Sequence, residues 1–148
     1  MLRVSDAIRE IFVGEGIAVR TGAECSTVTP HDQGVAVGVD CLEAPPTIVG
    51  SLVLLAVGRR PNTDNLALDR AGVTTDARGF MTVDDALATS VPRIWALGDC
   101  NGRGAFTHTA YNDFEIVTAN LLDGAHRRVT ARVSAYPLYI DPPLGRVG

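Results

Sequence analysis

Three short stretches place residues able to do chemistry where the chain must change direction. In Leu54-Leu55-Ala56-Val57-Gly58-Arg59-Arg60-Pro61-Asn62 an apolar run stops at a glycine and passes into charged, turn-forming residues. Ligands of open α/β sheets bind just beyond the carboxyl ends of strands, where a glycine lets the backbone approach closely. The bland alternative is a plain turn at Gly58 with solvated Arg59 and Arg60. In Ile94-Trp95-Ala96-Leu97-Gly98-Asp99 a carboxylate follows a second short apolar run. Asp99 there is suited to accept hydrogen bonds from sugar or polyol hydroxyls, or it is an ordinary turn aspartate. In Gly104-Ala105-Phe106-Thr107-His108 the chain enters a helix whose free N–H groups and positive dipole end favour an electron-rich acceptor. Every helix has such an end, so this signal needs a ligand to give it meaning.

Other chemistries find little support. Gly102-Arg103-Gly104-Ala105-Phe106-Thr107 is a near miss to the dinucleotide fingerprint G-x-G-x-x-G, and the acidic partner expected about 20 residues on is only loosely supplied by Asp123. No complete fingerprint or P-loop occurs. His31, His108 and His126 are scattered, and no Cys or His pair has metal-ligand spacing. The three cysteines, Cys25, Cys41 and Cys100, lie too far apart for a C-x-x-C or C-x-x-x-x-C redox pair. No nucleophile elbow supports a Ser–His–Asp hydrolase.

The elements that must position these residues can be read from periodicity. Val4, Ile8, Ile11 and Phe12 share one helical stripe that Gly14 and Gly16 stop. Ile17 and Val19 alternate like a strand. Residues 23–29 and the run Val35, Val37, Val39 are expected to pair as a meander about the turn at Asp32-Gln33-Gly34. After Pro45-Pro46, residues 52–57 read as a strand buried on both faces. Phe80, Met81 and Val83, and then residues 94–97, read as short strands. A second helix starts near Thr109 with Ala110, Phe114, Val117 and Leu121 on its stripe, and Gly124 ends it. Residues 136–140 read as a last strand, halted by Asp141-Pro142-Pro143. The fold class is α/β. With its two helices at opposite ends, the order suits the tail of one domain and the return of another better than one doubly wound domain.

Composition narrows the class. The chain has 148 residues, 46% hydrophobic and 20% charged, against about 25% charged in a typical domain. Its net charge of −4 argues against a nucleic-acid partner. No apolar run approaches the ~20 residues that span a bilayer, and the N-terminus has no signal-peptide core. An odd number of separated cysteines fits a reducing cytoplasm.

Taken in order, LLAVGRRPNTDNLALDRAGV, GFMTVDDALATSVPRIWALGDC and FTHTAYNDFEIVTANLL resemble the class I pyridine nucleotide–disulfide oxidoreductases. These flavoproteins include glutathione reductase, dihydrolipoamide dehydrogenase and mercuric reductase. The closing YPLYIDPPLGRVG is similar to the start of that family's dimerisation domain, and the wording is nearest the mercuric-reductase-like branch. The resemblance runs from about residue 6 to residue 148. It implies part of a two-domain, Rossmann-like FAD/NAD(P) architecture. Residues 1–78 would be the C-terminal part of the NAD(P)-binding domain, 79–132 the returning part of the FAD-binding domain, and 133–148 the start of the dimerisation domain.

The resemblance also implies roles. Gly58 matches a backbone contact to the nicotinamide nucleotide, and Asp99 matches the aspartate that accepts hydrogen bonds from the ribityl chain of FAD. Ala105, Phe106, Thr107 and His108 match the stretch against the flavin's pyrimidine side, and Cys25 aligns loosely with a further nucleotide contact. No catalytic residue and no metal ligand is implied within these residues. The activity implied is hydride transfer from NAD(P)H to FAD, then to a redox disulfide or a metal substrate such as mercuric ion. The partners implied are a second copy of the chain and a small-molecule, metal-ion or disulfide substrate.

Both complete fingerprints and the redox cysteine pair of that family are absent from these 148 residues. The chain therefore reads as a central slice that does not turn over alone, with Met1 an internal start or a truncation. The contrasting reading is a non-catalytic interaction or folding module built on the same framework. An upstream fingerprint and C-x-x-x-x-C would separate the two.

Overall fold

A computed structural model describes residues 4–40 and 46–148, and for Cys25 and Ser26 the backbone alone. Cys41 lies outside the described residues. The chain forms two compact units, Met1–Val57 and Gly58–Gly148.

The first unit opens with helix α1, Val4–Gly14, on the stripe that the spacing predicts. Its end is a left-handed glycine cap. Gly16 has φ 79°, its N–H donates to the Val13 carbonyl at 3.0 Å, and the Ile17 N–H donates to Phe12 at 2.9 Å. A residue with a Cβ is strained in that conformation, so glycine stops the helix there. Strands β1 (Glu24–His31), β2 (Gly34–Asp40) and β3 (Thr47–Gly50) form an antiparallel sheet in the order β1-β2-β3. The β1–β2 pairing is the expected meander, closing with His31 opposite Gly34. Gly34 has φ 130°, and a Cβ there would stand 2.3 Å from the Gly50 carbonyl oxygen, so no larger residue fits.

Two expectations for this unit fail. Ile17 and Val19 lie outside any strand. Residues 52–57 are not a buried strand: Leu52, Leu54, Leu55 and Val57 are 89%, 88%, 73% and 90% exposed. A strand buried on both faces needs ladder partners and two covering layers, and among the described residues no strand pairs with this run. The apolar signal that begins at Ile48 is instead used by β3.

The second unit begins with closely folded turns around the short helix α2 (Leu68–Ala71). The expected strands at 80–83 and 94–97 shrink to single antiparallel bridges, Thr75 with Met81 and Ala88 with Trp95. Aspartates build the turns between them: Asp76 Oδ1 accepts the N–H groups of Arg78 and Phe80, and Asp84 Oδ1 accepts those of Ala86 and Ala88. A side chain that satisfies backbone donors locally competes with a ladder. A 3-10 turn at Gly98–Asn101 leads to helix α3, Thr107–Leu122.

The core is Val83, Leu87, Ala96, Ile116 and Val117, with Met81, Trp95, Leu97, Cys100 and Val129 packed against it. The face of α3 turned to this core carries Thr109, Asp113, Ile116 and Val117. Phe114 and Leu121, expected on the buried stripe, are exposed, as are Tyr111 and Leu122. Apolar residues lie all round this helix, so periodicity alone does not choose the face. Strands β4 (Ala135–Leu138) and β5 (Leu144–Val147) close the unit as a hairpin, where a single strand was expected. Among the described residues no helix is long and apolar enough to cross a membrane.

Candidate functional site

Asp99 sits in the 3-10 turn directly after the 94–97 segment. Gly98 holds φ 78° there, and a Cβ at that position would lie 3.3 Å from the Ala110 Cβ on α3. The glycine thus lets the turn bend sharply against the helix. Two buried groups fix this turn from behind. The Asp113 carboxylate accepts the Gly98 N–H at 2.9 Å and the Asn101 amide at 2.8 Å, and Asn101 also donates to the Ala96 carbonyl at 2.9 Å. Asp113 in turn is ion-paired with Arg132 Nη2, whose Nε donates to Asn112 at 2.8 Å. A buried carboxylate is stable only when so paired. The turn is therefore pinned to α3, and α3 to the segment entering β4.

In front, Asp99 Oδ2 accepts a hydrogen bond from Arg59 Nη1 at 2.8 Å. Arg59 is thus not merely solvated, although the pair is largely exposed. Arg59, Asp99, Cys100 and Ala105 line one cleft of about 1010 Å³. Phe106 and His108 line a second of about 930 Å³, and Arg103 and Gly104 contribute to both. Gly58 precedes Arg59 with φ 121° and no atom within 4 Å of where a Cβ would stand, so its backbone is approachable. Thr107 begins α3 and is exposed. Cys25 belongs to the first unit, on β1, its backbone opposite Val39. Asp99 and Ala105 thus share one cleft, Phe106 and His108 the next, and Gly58 and Thr107 line neither.

The start of α3 is open to an acceptor. Phe106 precedes it in extended conformation without a side-chain cap, and no acidic residue occupies the first turn. The first amides of a helix have no intrahelical acceptors, so they face whatever lies at this end. Phe106 itself stacks between His108 (centroids 5.4 Å apart) and Tyr136 (5.0 Å), while Arg146 covers Tyr136 and donates to its hydroxyl at 2.9 Å. This stack ties the helix start to the β4–β5 hairpin.

Sequence reasoning missed Asp113, Asn101, Arg132 and the partner of Asp99. Asp113 had one available signal: it falls at i+3 from Ala110 and i−4 from Val117, an acid on an apolar face.

Cys100 is a free thiol, and its Sγ–H donates to the Leu97 carbonyl at 3.2 Å. Burial raises its pKa above the ordinary value, the Asp113 and Asp99 carboxylates add to the rise, and a backbone hydrogen bond opposes it. A raised pKa leaves less thiolate at neutral pH, and the thiolate is the nucleophile. Iodoacetamide should therefore modify Cys100 more slowly at pH 7–8 than a small free thiol, with the rate climbing only at clearly higher pH. Equal rates at pH 7, read by mass spectrometry, would contradict the burial of this group.

A family model described as pyridine nucleotide-disulphide oxidoreductase matches residues 2–113. A mercuric reductase of Streptomyces lividans is 34% identical over 145 residues, covering 98% of this chain and 31% of that protein. The probable pyridine nucleotide-disulfide oxidoreductase RclA of Escherichia coli is 31% identical over 146 residues, 98% of this chain and 32% of that protein. Among solved structures, the HOCl-induced flavoprotein disulfide reductase RclA of Escherichia coli superposes with a TM-score of 0.88 at 32% identity, covering 98% of this chain and 33% of that one. LpdA of Mycobacterium tuberculosis does so with a TM-score of 0.85 at 27% identity, covering 96% and 30%. The chain spans about a third of the length of the relatives it matches.

Proposed function

Since the chain belongs to the pyridine nucleotide-disulphide oxidoreductase family, we propose that it forms the central third of an FAD-dependent, NAD(P)H-consuming oxidoreductase. FAD, when bound, would supply the redox chemistry, taking a hydride from NAD(P)H and handing its two electrons to a redox disulfide, whose thiols would in turn reduce a disulfide or metal-ion substrate. Relatives of similar identity include a mercuric reductase and dihydrolipoyl dehydrogenases, which supports a metal ion such as mercuric ion or a disulfide as that substrate without choosing between them.

The observation that carries the reading is the pinned Asp99 turn with its cleft beside the start of α3. The fit to a flavin with a polyol chain is good. The backbone on either side of Asp99 is held by the buried bonds of Asp113 to Gly98 and Asn101, and its exposed carboxylate, one oxygen of which takes Arg59, keeps acceptor capacity for a polyol hydroxyl. Such preorganisation lowers the ordering cost of binding. The backbone of Ala105, Phe106, Thr107 and His108 would meet the flavin's pyrimidine side. The positive end of the helix there favours negative charge on the reduced ring. Gly58 would offer its unobstructed backbone to the nicotinamide nucleotide, and Cys25 a further nucleotide contact. The intact protein is proposed to be a cytoplasmic homodimer.

Anaerobic titration of the intact protein with NADH and NADPH tests this reading. Bound flavin should bleach stoichiometrically with one of the two nucleotides. A protein that purifies without flavin, takes none up and shows no bleaching would overturn it.

A further inference from the structure

The flavin is proposed to meet the backbone of residues 105–108, which leaves the Phe106 side chain free for another partner. Its ring lies within 17° of parallel to the His108 ring, at 5.4 Å, and within 19° of parallel to the Tyr136 ring, at 5.0 Å. Both separations fall in the range where aromatic pairs attract. Phe106 is also the residue through which the chain enters α3. It is extended, its carbonyl accepts the Ala110 N–H at 3.0 Å, and no side chain caps the helix. Apart from that one backbone bond, the stacked ring is what holds the entering chain at this residue.

Tyr136 is itself braced. It is the half-buried residue of β4, whose other residues are exposed, and it stands opposite Arg146 in the β4–β5 ladder. The Arg146 guanidinium lies 5.6 Å from the Tyr136 ring centroid, and its Nη1 donates to the hydroxyl at 2.9 Å. The Nε of Arg146 donates to the Gly148 carbonyl at 3.3 Å, which ties the guanidinium at a second point. A cation over an aromatic ring adds to the attraction. Every one of these contacts is made within the Gly58–Gly148 unit.

We infer that Tyr136, braced by Arg146, is a positioning residue for the flavin: through the Phe106 ring it holds the backbone of residues 105–108 where the pyrimidine side meets it. The inference rests on the proposed flavin contact of that backbone. A segment held before the ligand arrives needs no ordering on binding, so loss of the stack weakens flavin affinity. The positive end of α3 favours negative charge, so its displacement weakens binding of the reduced ring more than of the oxidised one. The flavin potential then becomes more negative.

Titration of the FAD-free intact protein with FAD, together with the flavin midpoint potential, tests the inference in Y136L, Y136F and R146Q. Loss of an aromatic pair corresponds to a rise in Kd of about threefold to tenfold, expected in Y136L with a negative shift of the potential. Y136F keeps the ring and should stay near wild type. R146Q leaves all three rings in place and should move both quantities in the same directions by less. In an F106L background, Y136L should add little, because the ring it acts through is gone. Any of these results would overturn the inference: a folded Y136L with wild-type affinity and potential, a rise in Kd without a shift of potential, a Y136F as impaired as Y136L, or an undiminished effect of Y136L beside F106L. Where Y136L does not fold, wild-type values in R146Q would do so. A wild type that binds no flavin defeats the oxidoreductase reading as well, whereas normal flavin binding with unaffected variants defeats this inference alone.

Discussion

Replacing Asp113 by alanine is expected to destabilise the Gly58–Gly148 unit by about 3–5 kcal/mol, the range for removing one partner of a buried ion pair. The Asp113 residue is 1% exposed, and the Arg132 side chain is 13% exposed. Truncation leaves that guanidinium buried without its counter-charge, where one of its nitrogens already has no acceptor. It also removes the acceptor for the Gly98 N–H and the Asn101 amide, so the turn carrying Asp99 loses its anchor. Asp113→Asn keeps one acceptor oxygen but turns the other into an NH2 donor, set against either Arg132 or the Gly98 and Asn101 donors, so it should recover only part of the loss. Trp95, the single tryptophan, packs against the core beside this network and reports unfolding by its fluorescence. An alanine variant whose denaturation midpoint matches the wild type would refute the role given to this pair.

The second large effect is expected at Gly104. The residue has φ 152°, and a Cβ there would stand 2.5 Å from Thr109 Cγ2 and 3.1 Å from its Cβ. Thr109 is buried on α3, and a β-branched side chain on a helix has few rotamers to retreat into. Gly104→Ala therefore combines a backbone cost of about 1–3 kcal/mol with an overpacking cost of about 1–3 kcal/mol. Relief would come by pushing the start of α3 away from Ala105. Gly58→Ala is the control. Its φ of 121° is also unfavourable, but nothing lies within 4 Å, so only the backbone cost applies. The two variants, compared by thermal unfolding, should differ in that order. Equal costs would mean that the Thr109 contact contributes nothing.

The legibility of this chain divides along physical lines. Features written within a few residues were readable: the stripe of α1 and its glycine stop, the alternation of β2, the start of a helix near Thr109, and the position of Asp99 after an apolar segment. Features that depend on distant partners were not. The Arg59–Asp99 pair joins residues 40 apart, and the Asp113–Arg132 pair joins residues 19 apart. Neither leaves a local pattern. Residues 52–57 carry the composition of a buried strand, yet burial is a property of neighbours, and among the described residues none pairs with them. The stripe of α3 misled for the opposite reason. Both of its faces are apolar, and the buried acid that marks the core face was the residue a hydrophobic pattern passes over.

The most direct test of the account is equilibrium titration of the FAD-free intact protein with FAD, comparing wild type with Asp99→Ala and Asp99→Asn. Loss of a hydrogen bond to a charged acceptor costs about 1.5–3 kcal/mol, which is about a tenfold to 150-fold rise in Kd. The alanine variant should show that rise with an unchanged unfolding midpoint, because Asp99 is exposed and its pairing with Arg59 is of the kind that contributes little to stability. The asparagine variant should fall between, retaining an uncharged acceptor. Flavin affinity equal to wild type in Asp99→Ala would contradict the assignment of Asp99 to the polyol and, with it, the placement of the flavin site on this chain.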